Sequence, residues 1–159
     1  MAATSVALWD WAVAAYGRTG VSEACLDLQD TAGQSVCLLL WAGWSAQMGR
    51  RLDAEALDEA VDTARAWHDT AVDPLREVRR RLKRPHPDLA PDDREAVRDL
   101  VKAAELLAER RLLLALEALT PAPTQSPSAP LDNLLAVSRQ WSATVPRSAL
   151  TTLAERLSA

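Results

Sequence analysis

Phenylalanine is absent from this 159-residue chain, tyrosine occurs once, and histidine, cysteine and methionine occur twice each. Two cysteines and two histidines, spaced as Cys25-x11-Cys37 and His68-x17-His86, match no familiar zinc pattern. Carboxylate pairs such as Asp58 and Asp62 lack the Glu-x-x-His partners of a di-metal bundle, so no metal is expected. Five glycines leave no room for a phosphate-cradling loop, and no cofactor is expected. The longest apolar run, starting at Val36, falls far short of the roughly 20 residues of a membrane span. The N-terminal stretch MAATSVALWDWAVAAYG lacks a basic region and carries Asp10, which argues against a secretory signal. Two cysteines are also too few for a disulfide scaffold, so both are expected as reduced, buried small hydrophobes in a cytoplasmic protein.

What is present points to helices. Ala and Leu dominate, with Arg and Glu frequent, while Val, Ile and Tyr are scarce. An apolar fraction of 48% excludes wholesale disorder and is ample for a core in a chain of this length. Six tryptophans supply almost all the aromatic bulk. The net charge of −4 is uneven: residues 1–72 are strongly acidic and residues 73–84 strongly basic. One basic segment in an acidic chain is not the footprint of a nucleic-acid binder.

The helical period recurs along the chain. A first helix is expected over residues 5–16, capped by Thr4 or Ser5, with Leu8, Trp11, Ala12 and Ala15 on one stripe and Trp9, Val13 and Tyr16 on another. A second runs from Val21 to Asp30, ended by Gly33 in a positive-φ conformation. The third, from Ser35 to Met48, is apolar nearly all round and should be central. Gly43 in its interior costs about 1 kcal/mol relative to Ala, which predicts close approach of a neighbour. A fourth helix follows the N-cap Asp53, and Pro74 is expected to break or kink it. Leu75, Val78 and Leu82 would then form the inward face of a fifth. The sixth should run from Pro91 to Leu119, about 43 Å at 1.5 Å per residue. Its first half is amphipathic through Val97, Leu100, Ala104 and Leu107, and its second half, LLLALEAL, should be buried.

The expected fold is all-α: an irregular, mostly antiparallel bundle of about six helices over residues 1–120. A Pro-rich linker at 121–130 and a short C-terminal helical extension at 131–159 follow. That extension could cover Leu112 to Leu119 or dock on a partner.

Two stretches, LWDWAVAAYGRTGVSEACLDLQDTAGQSVCLLLWAGW and AWHDTAVDPLREVRRRLK, carry a resemblance. A Trp- and Tyr-bearing first helix, then LQD before a Gly and a Leu triplet, then PLR–RR–LK, are similar in order and spacing to the DUF2390 family of uncharacterised bacterial helical proteins. In that pattern a polar residue often stands where Cys37 does. The resemblance covers about residues 5–90 and implies a cytoplasmic, bacterial, all-α protein with no established activity.

Two candidate sites follow from the residues. Arg76, Arg79, Arg80 and Lys83 cluster on one side of the fifth helix, where guanidinium groups could grip a partner's carboxylates or pair with this protein's own acids, notably those between Asp53 and Asp62. Trp9, Trp11, Tyr16, Trp41, Trp44 and Trp67 could line an apolar groove or pocket as well as fill the core. Trp9 and Trp11, about 200° apart around a helix, cannot both face inward. His68 with Asp69 or Asp73 is the only His–carboxylate grouping, and no nucleophile is evident beside it. His86, between prolines, should face solvent. The leading expectation is therefore a non-enzymatic interaction protein, an adaptor or regulator, binding a protein partner through the basic helix or a Trp-bearing surface. The alternative is a helical bundle holding a small molecule in a Trp-lined apolar pocket. Self-association through an exposed apolar face is a further expectation.

Overall fold

The structure, a computed structural model, describes residues 5–124 and 128–159. Its elements are α1 (Leu8–Tyr16), α2 (Val21–Ala32), α3 (Val36–Gln47), α4 (Ala54–Trp67), a π-helical turn (His68–Val72), α5 (Asp73–Lys83), α6 (Pro91–Leu119), α7 (Pro130–Trp141) and α8 (Arg147–Ser158). No strand occurs among the described residues.

The centre is α3, in which every residue from Cys37 to Ala46 is buried. Helices α1, α2, α4, α6 and α7 all pack on it. A helix without a polar face must be covered on every side, and this one is. Ser35 caps its N-terminus, the Oγ accepting the Leu38 N–H at 3.4 Å. Gly43 sits where α8 and α1 cross α3: a Cβ there would lie 2.8 Å from Leu157 Cδ1 and 3.3 Å from the Trp11 ring. Close approach therefore accounts for the glycine.

Three helix termini are set by backbone chemistry. Gly33 closes α2 at φ 62°, as its position predicts. Asp53 accepts the Ala56 N–H at 2.8 Å to open α4. At α1 the expected cap is replaced. Thr4 lies outside the described residues, Ser5 makes no cap, and the Leu8 N–H instead donates to Glu117 Oε1 on α6 at 3.2 Å. A carboxylate from a distant helix thus satisfies the positive end of α1.

Gly20 precedes α2 at φ 79°, with the Arg156 guanidinium packed where a Cβ would stand. Gly20→Ala combines a left-handed backbone with a clash, and is expected to destabilise the fold by about 1–2 kcal/mol in urea titration.

Pro74 does not break the helix. The chain stays helical from α4 into α5 because the turn before the proline widens, with the Asp73 N–H bonding to the His68 carbonyl five residues back. A wider turn makes room for a ring that would otherwise collide with the preceding carbonyl, and it absorbs the missing donor. The same extra residue rotates α5 about its axis. Leu75 and Leu82 are half-buried as expected, but Val78 is 44% exposed, and Arg76 and Arg79 turn inward instead. Helix α5 returns along α6 as an antiparallel hairpin, fastened at its tip by Arg94, whose Nη1 donates to the Leu82 carbonyl at 2.7 Å.

Of the two arrangements the sequence left open, the C-terminal helices fold onto the bundle, but against other helices than the Leu112 to Leu119 stretch. Helix α7 packs on α3 and α4, and α8 packs on α2 and α7. Leu112, Leu113 and Leu116 are buried without the tail's help, since α6 packs on α1, α3 and α4. Part of the expected linker, residues 125–127, lies outside the described residues.

Candidate functional site

Helices α1, α2 and α3 leave a gap on the side where the α5–α6 hairpin joins the bundle. The outcome is a cleft of about 420 Å³. Its walls are mainly apolar: Trp9, Val13 and Tyr16 from α1, Leu26 from α2, Val36 and Leu40 from α3, Leu106 and Leu113 from α6. Val13, Leu26 and Leu106 are 55%, 45% and 55% exposed, far more than core residues of the same type. Such a volume and lining fall in the range of small-molecule sites.

One end of the cleft is ionic. Glu105 of α6, with 9% of its side chain exposed, accepts from Arg76 Nε at 3.2 Å and from Arg79 Nε at 2.6 Å. One turn on, Glu109 Oε1 accepts from Arg76 Nη2 at a long 3.4 Å, and Asp73 Oδ1 stands 3.6 Å from Arg76 Nη1. Arg76 and Arg79 lie i, i+3 on α5, and Glu105 and Glu109 lie i, i+4 on α6, so each pair presents one face to the other. The hydrogen bond to Glu105 raises the Arg79 pKa. Glu109 behaves otherwise: burial and the neighbouring Glu105 charge raise its carboxyl pKa, outweighing the two arginines. Burial likewise raises the Tyr16 hydroxyl, and pushes the Cys25 thiol up to about 12. Cys37, on the cleft floor, is raised by burial too. Both thiols are free, buried and weak as nucleophiles.

A carboxyl whose pKa is raised in the fold binds its proton more tightly folded than unfolded. Stability from Glu109 is therefore greatest in acid and declines as pH rises from the ordinary range near 4.5 through its folded value. Glu109→Gln removes that penalty. Its melting temperature should exceed the parent's at neutral pH, and the two should converge below pH 4.5.

The basic cluster of the sequence is thus divided. Arg76 and Arg79 serve the cleft, and their partners come from α6 instead of the acidic stretch of α4. Arg80 reaches Asp30 only at 4.0 Å, and Lys83 is exposed. The aromatic set is divided as well. Only Trp9 and Tyr16 line the cleft. Trp11, Trp41 and Trp44 are core residues, their indole N–H groups donating to Gln47 Oε1, Thr120 Oγ1 and the Val6 carbonyl. Trp67 is half-buried against the core. Arg110 lies over the Trp9 ring at 4.9 Å and holds it at the rim.

With this geometry in view, comparison with known families decides membership. Residues 7–116 match the family described as "Protein of unknown function (DUF2390)". The chain belongs to this family. The match runs from α1 nearly to the end of α6, so every residue of the cleft of this DUF2390 protein lies within it. Among curated proteins and solved structures, none matches the chain.

Beside the cleft the His68–Asp73 grouping that the sequence offered is joined by Ser35, the one member sequence reasoning missed. Ser35 Oγ lies 3.0 Å from His68 Nε2, and His68 Nδ1 lies 3.1 Å from Asp73 Oδ1. Asp69 is exposed and takes no part. The π turn is what brings His68 and Asp73, five residues apart, to hydrogen-bonding distance. No spacing rule for an α-helix would pair them. Trp141 of α7 packs on the His68 ring at 5.5 Å between centroids and donates its N–H to the Gly33 carbonyl. Ser35 and His68 are 2% and 7% exposed. Neither lines the cleft or the shallow depression beside it formed by Gln29, Asp73, Arg76 and Arg80.

Proposed function

We propose that this DUF2390 protein is a non-enzymatic binding protein that takes a small amphiphilic carboxylate into the cleft between α1, α2 and the α5–α6 hairpin. The observation that carries this reading is the apolar cleft closing on Arg76, whose Nε donates to Glu105 at 3.2 Å while its two outer nitrogens have only longer contacts to Glu109 and Asp73. A ligand carboxylate placed there takes the bidentate position on the guanidinium that Glu109 fills poorly. Glu109, displaced, takes up a proton from solvent and donates it as a hydrogen bond to the ligand. The apolar body lies against Trp9, Val13 and Leu106.

Three ten-carbon probes with one body and different heads test this: decanoate, decylammonium and decanol. Decanoate is expected to bind best, to perturb Trp9 fluorescence, and to show a calorimetric enthalpy at neutral pH that varies with the ionisation enthalpy of the buffer. Val13→Trp, which fills the cleft from an exposed position, should abolish the effect. Equal binding of all three heads, or of none, would end this reading.

A protein-docking role for the basic helix has less support, because two of its four candidate cations, Arg76 and Arg79, are already paired within the chain, which leaves Arg80 and Lys83 outward. A reducing bacterial cytoplasm is the setting that suits two buried free thiols. No helix among the described residues is long and apolar enough to cross a membrane.

The Ser35–His68–Asp73 chain favours a second reading, an acyl-transfer enzyme, since nucleophile, base and acid follow one another in the required order. Access speaks against it. A nucleophile must meet an acyl carbon, and Ser35 Oγ is buried, occupied as the α3 cap and roofed with Trp141 over its base. As a clasp, Asp73 fixes the imidazole and the imidazole ties the π turn to α3. A fluorophosphonate probe should leave Ser35 unlabelled; stoichiometric labelling would restore the enzyme.

A further inference from the structure

Among the described residues the outer face of α6 has no partner. Val97, Leu100, Leu107 and Leu114 are 50%, 74%, 54% and 40% exposed. They fall at intervals of three, seven and seven residues, and Ala104 fills the gap between Leu100 and Leu107. Together they make a stripe turned away from the side on which Arg94, Arg98, Glu105, Leu112 and Leu116 pack. An apolar row at alternating three- and four-residue spacing is what a two-helix seam requires. Here it spans about five turns of one helix. Because the first half of α6 packs inward through arginine stems and Glu105, its apolar positions are left for the outside.

We infer that this stripe is the seam of a two-fold dimer in which α6 of one copy lies antiparallel against α6 of a second. The stripe is complementary to itself in that orientation. Asp93 stands one turn before Val97 and Arg111 one turn after Leu107, on the same outward face, both exposed and neither in an ion pair among the described residues. Antiparallel pairing that sets Leu100 opposite Ala104 also sets Val97 opposite Leu107 and Asp93 opposite Arg111. Leu100 then meets the small Ala104, Val97 meets Leu107 and Asp93 joins the unlike charge of Arg111, with Leu114 beyond the paired stretch. A parallel pairing would oppose Asp93 to Asp93 and Arg111 to Arg111, which like-charge repulsion disfavours. Ala96 and Ala103, exposed along the flank, let the two backbones approach closely. A single helix pair is smaller than a standard interface of about 1,600 Å². Association should accordingly be reversible and concentration-dependent. The inference is independent of what occupies the cleft.

Sedimentation velocity from low to high micromolar protein tests it. The parent chain is expected to pass from monomer to dimer across that range. Leu100→Glu with Leu107→Glu should remain monomeric throughout, with unchanged helicity by circular dichroism, since both positions are exposed. Asp93→Arg should weaken the dimer by about tenfold or more, and adding Arg111→Asp should restore it. A parent chain monomeric at every concentration overturns the proposal and leaves the stripe to a different protein. A dimer indifferent to Leu100→Glu and Leu107→Glu overturns it too. Failure of the double charge swap to restore association overturns the antiparallel arrangement.

Discussion

Glu105→Ala is expected to cost about 3–5 kcal/mol of stability, a large share of what a domain of this size possesses. Glu105 is a buried carboxylate holding two guanidinium groups, one of them, Arg76, with only 11% of its side chain exposed. Removing the acid strands that charge in an apolar surround, and Glu109 compensates weakly from 3.4 Å. The loss therefore reflects an uncompensated cation more than the worth of the ion pair itself. A companion variant separates the two. Arg76→Met, Arg79→Met and Glu105→Leu together remove every member and keep the bulk, so stability should return to within about 1–2 kcal/mol of the parent. Urea unfolding of the three proteins decides. A single variant as stable as the parent would mean the pair is solvated, and the ionic end of the cleft would lose its physical basis. Decanoate binding should be lost in the triple variant although it folds, because the group that receives the carboxylate is gone.

The course of the helices was legible in the sequence because it is written in local chemistry. Pro91 and Asp53 start helices, Gly33 stops one, and the unbroken apolar character of residues 36–46 makes α3 central. The DUF2390 resemblance rested on the same local features. What was not legible depends on one extra residue. A helical wheel drawn across Pro74 assumes 3.6 residues per turn, and the π turn at His68–Val72 breaks that count. Every position beyond it is rotated, so Val78 goes out, Arg76 and Arg79 go in, and of the two acids the sequence offered to His68 the turn selects Asp73. The first half of α6 is amphipathic as the sequence reads, but its apolar stripe points outward. Its apolar stripe through Val97, Leu100 and Leu107 looks like a core face, while the face that packs carries Arg94, Arg98 and Glu105. Hydrophobicity alone cannot tell a seam for another molecule from a seam within the chain. One signal could have helped. Glu105 and Glu109 share a face spaced to meet Arg76 and Arg79 across a hairpin, and matching charges between adjacent helices is a pairing rule that needs no coordinates.

Truncation after Thr120 is expected to unfold the protein or send it into aggregates. Leu134, Leu135 and Val137 of α7 and Leu150, Leu153 and Leu157 of α8 are all buried in the same cluster as Trp11, Leu39 and Trp41. At about 1.5–3 kcal/mol for each such side chain, their loss exceeds the net stability of an ordinary domain even before the newly exposed faces of α2, α3 and α4 are considered. Polar ties add direction to the packing. Asn133 donates to the carbonyls of Ala42 and Arg50, and Arg18 Nη1 donates to the Leu157 carbonyl at 3.0 Å. Arg65 reaches the Trp141 carbonyl and stacks over its ring at 4.3 Å. Against this, a proline-bearing tether and two short helices are also the outline of a detachable docking arm, and a truncated chain that stayed soluble and melted cooperatively would show that arm. A milder change keeps the question answerable if the truncated chain cannot be purified. Leu150→Ala and Leu153→Ala should each lower stability by about 2–5 kcal/mol if α8 is core, and by almost nothing if it detaches readily. Fluorescence offers an independent measure: a departing tail uncovers Gly43 and the Trp11 ring that Leu157 shields, and the emission of the core tryptophans should move to longer wavelength.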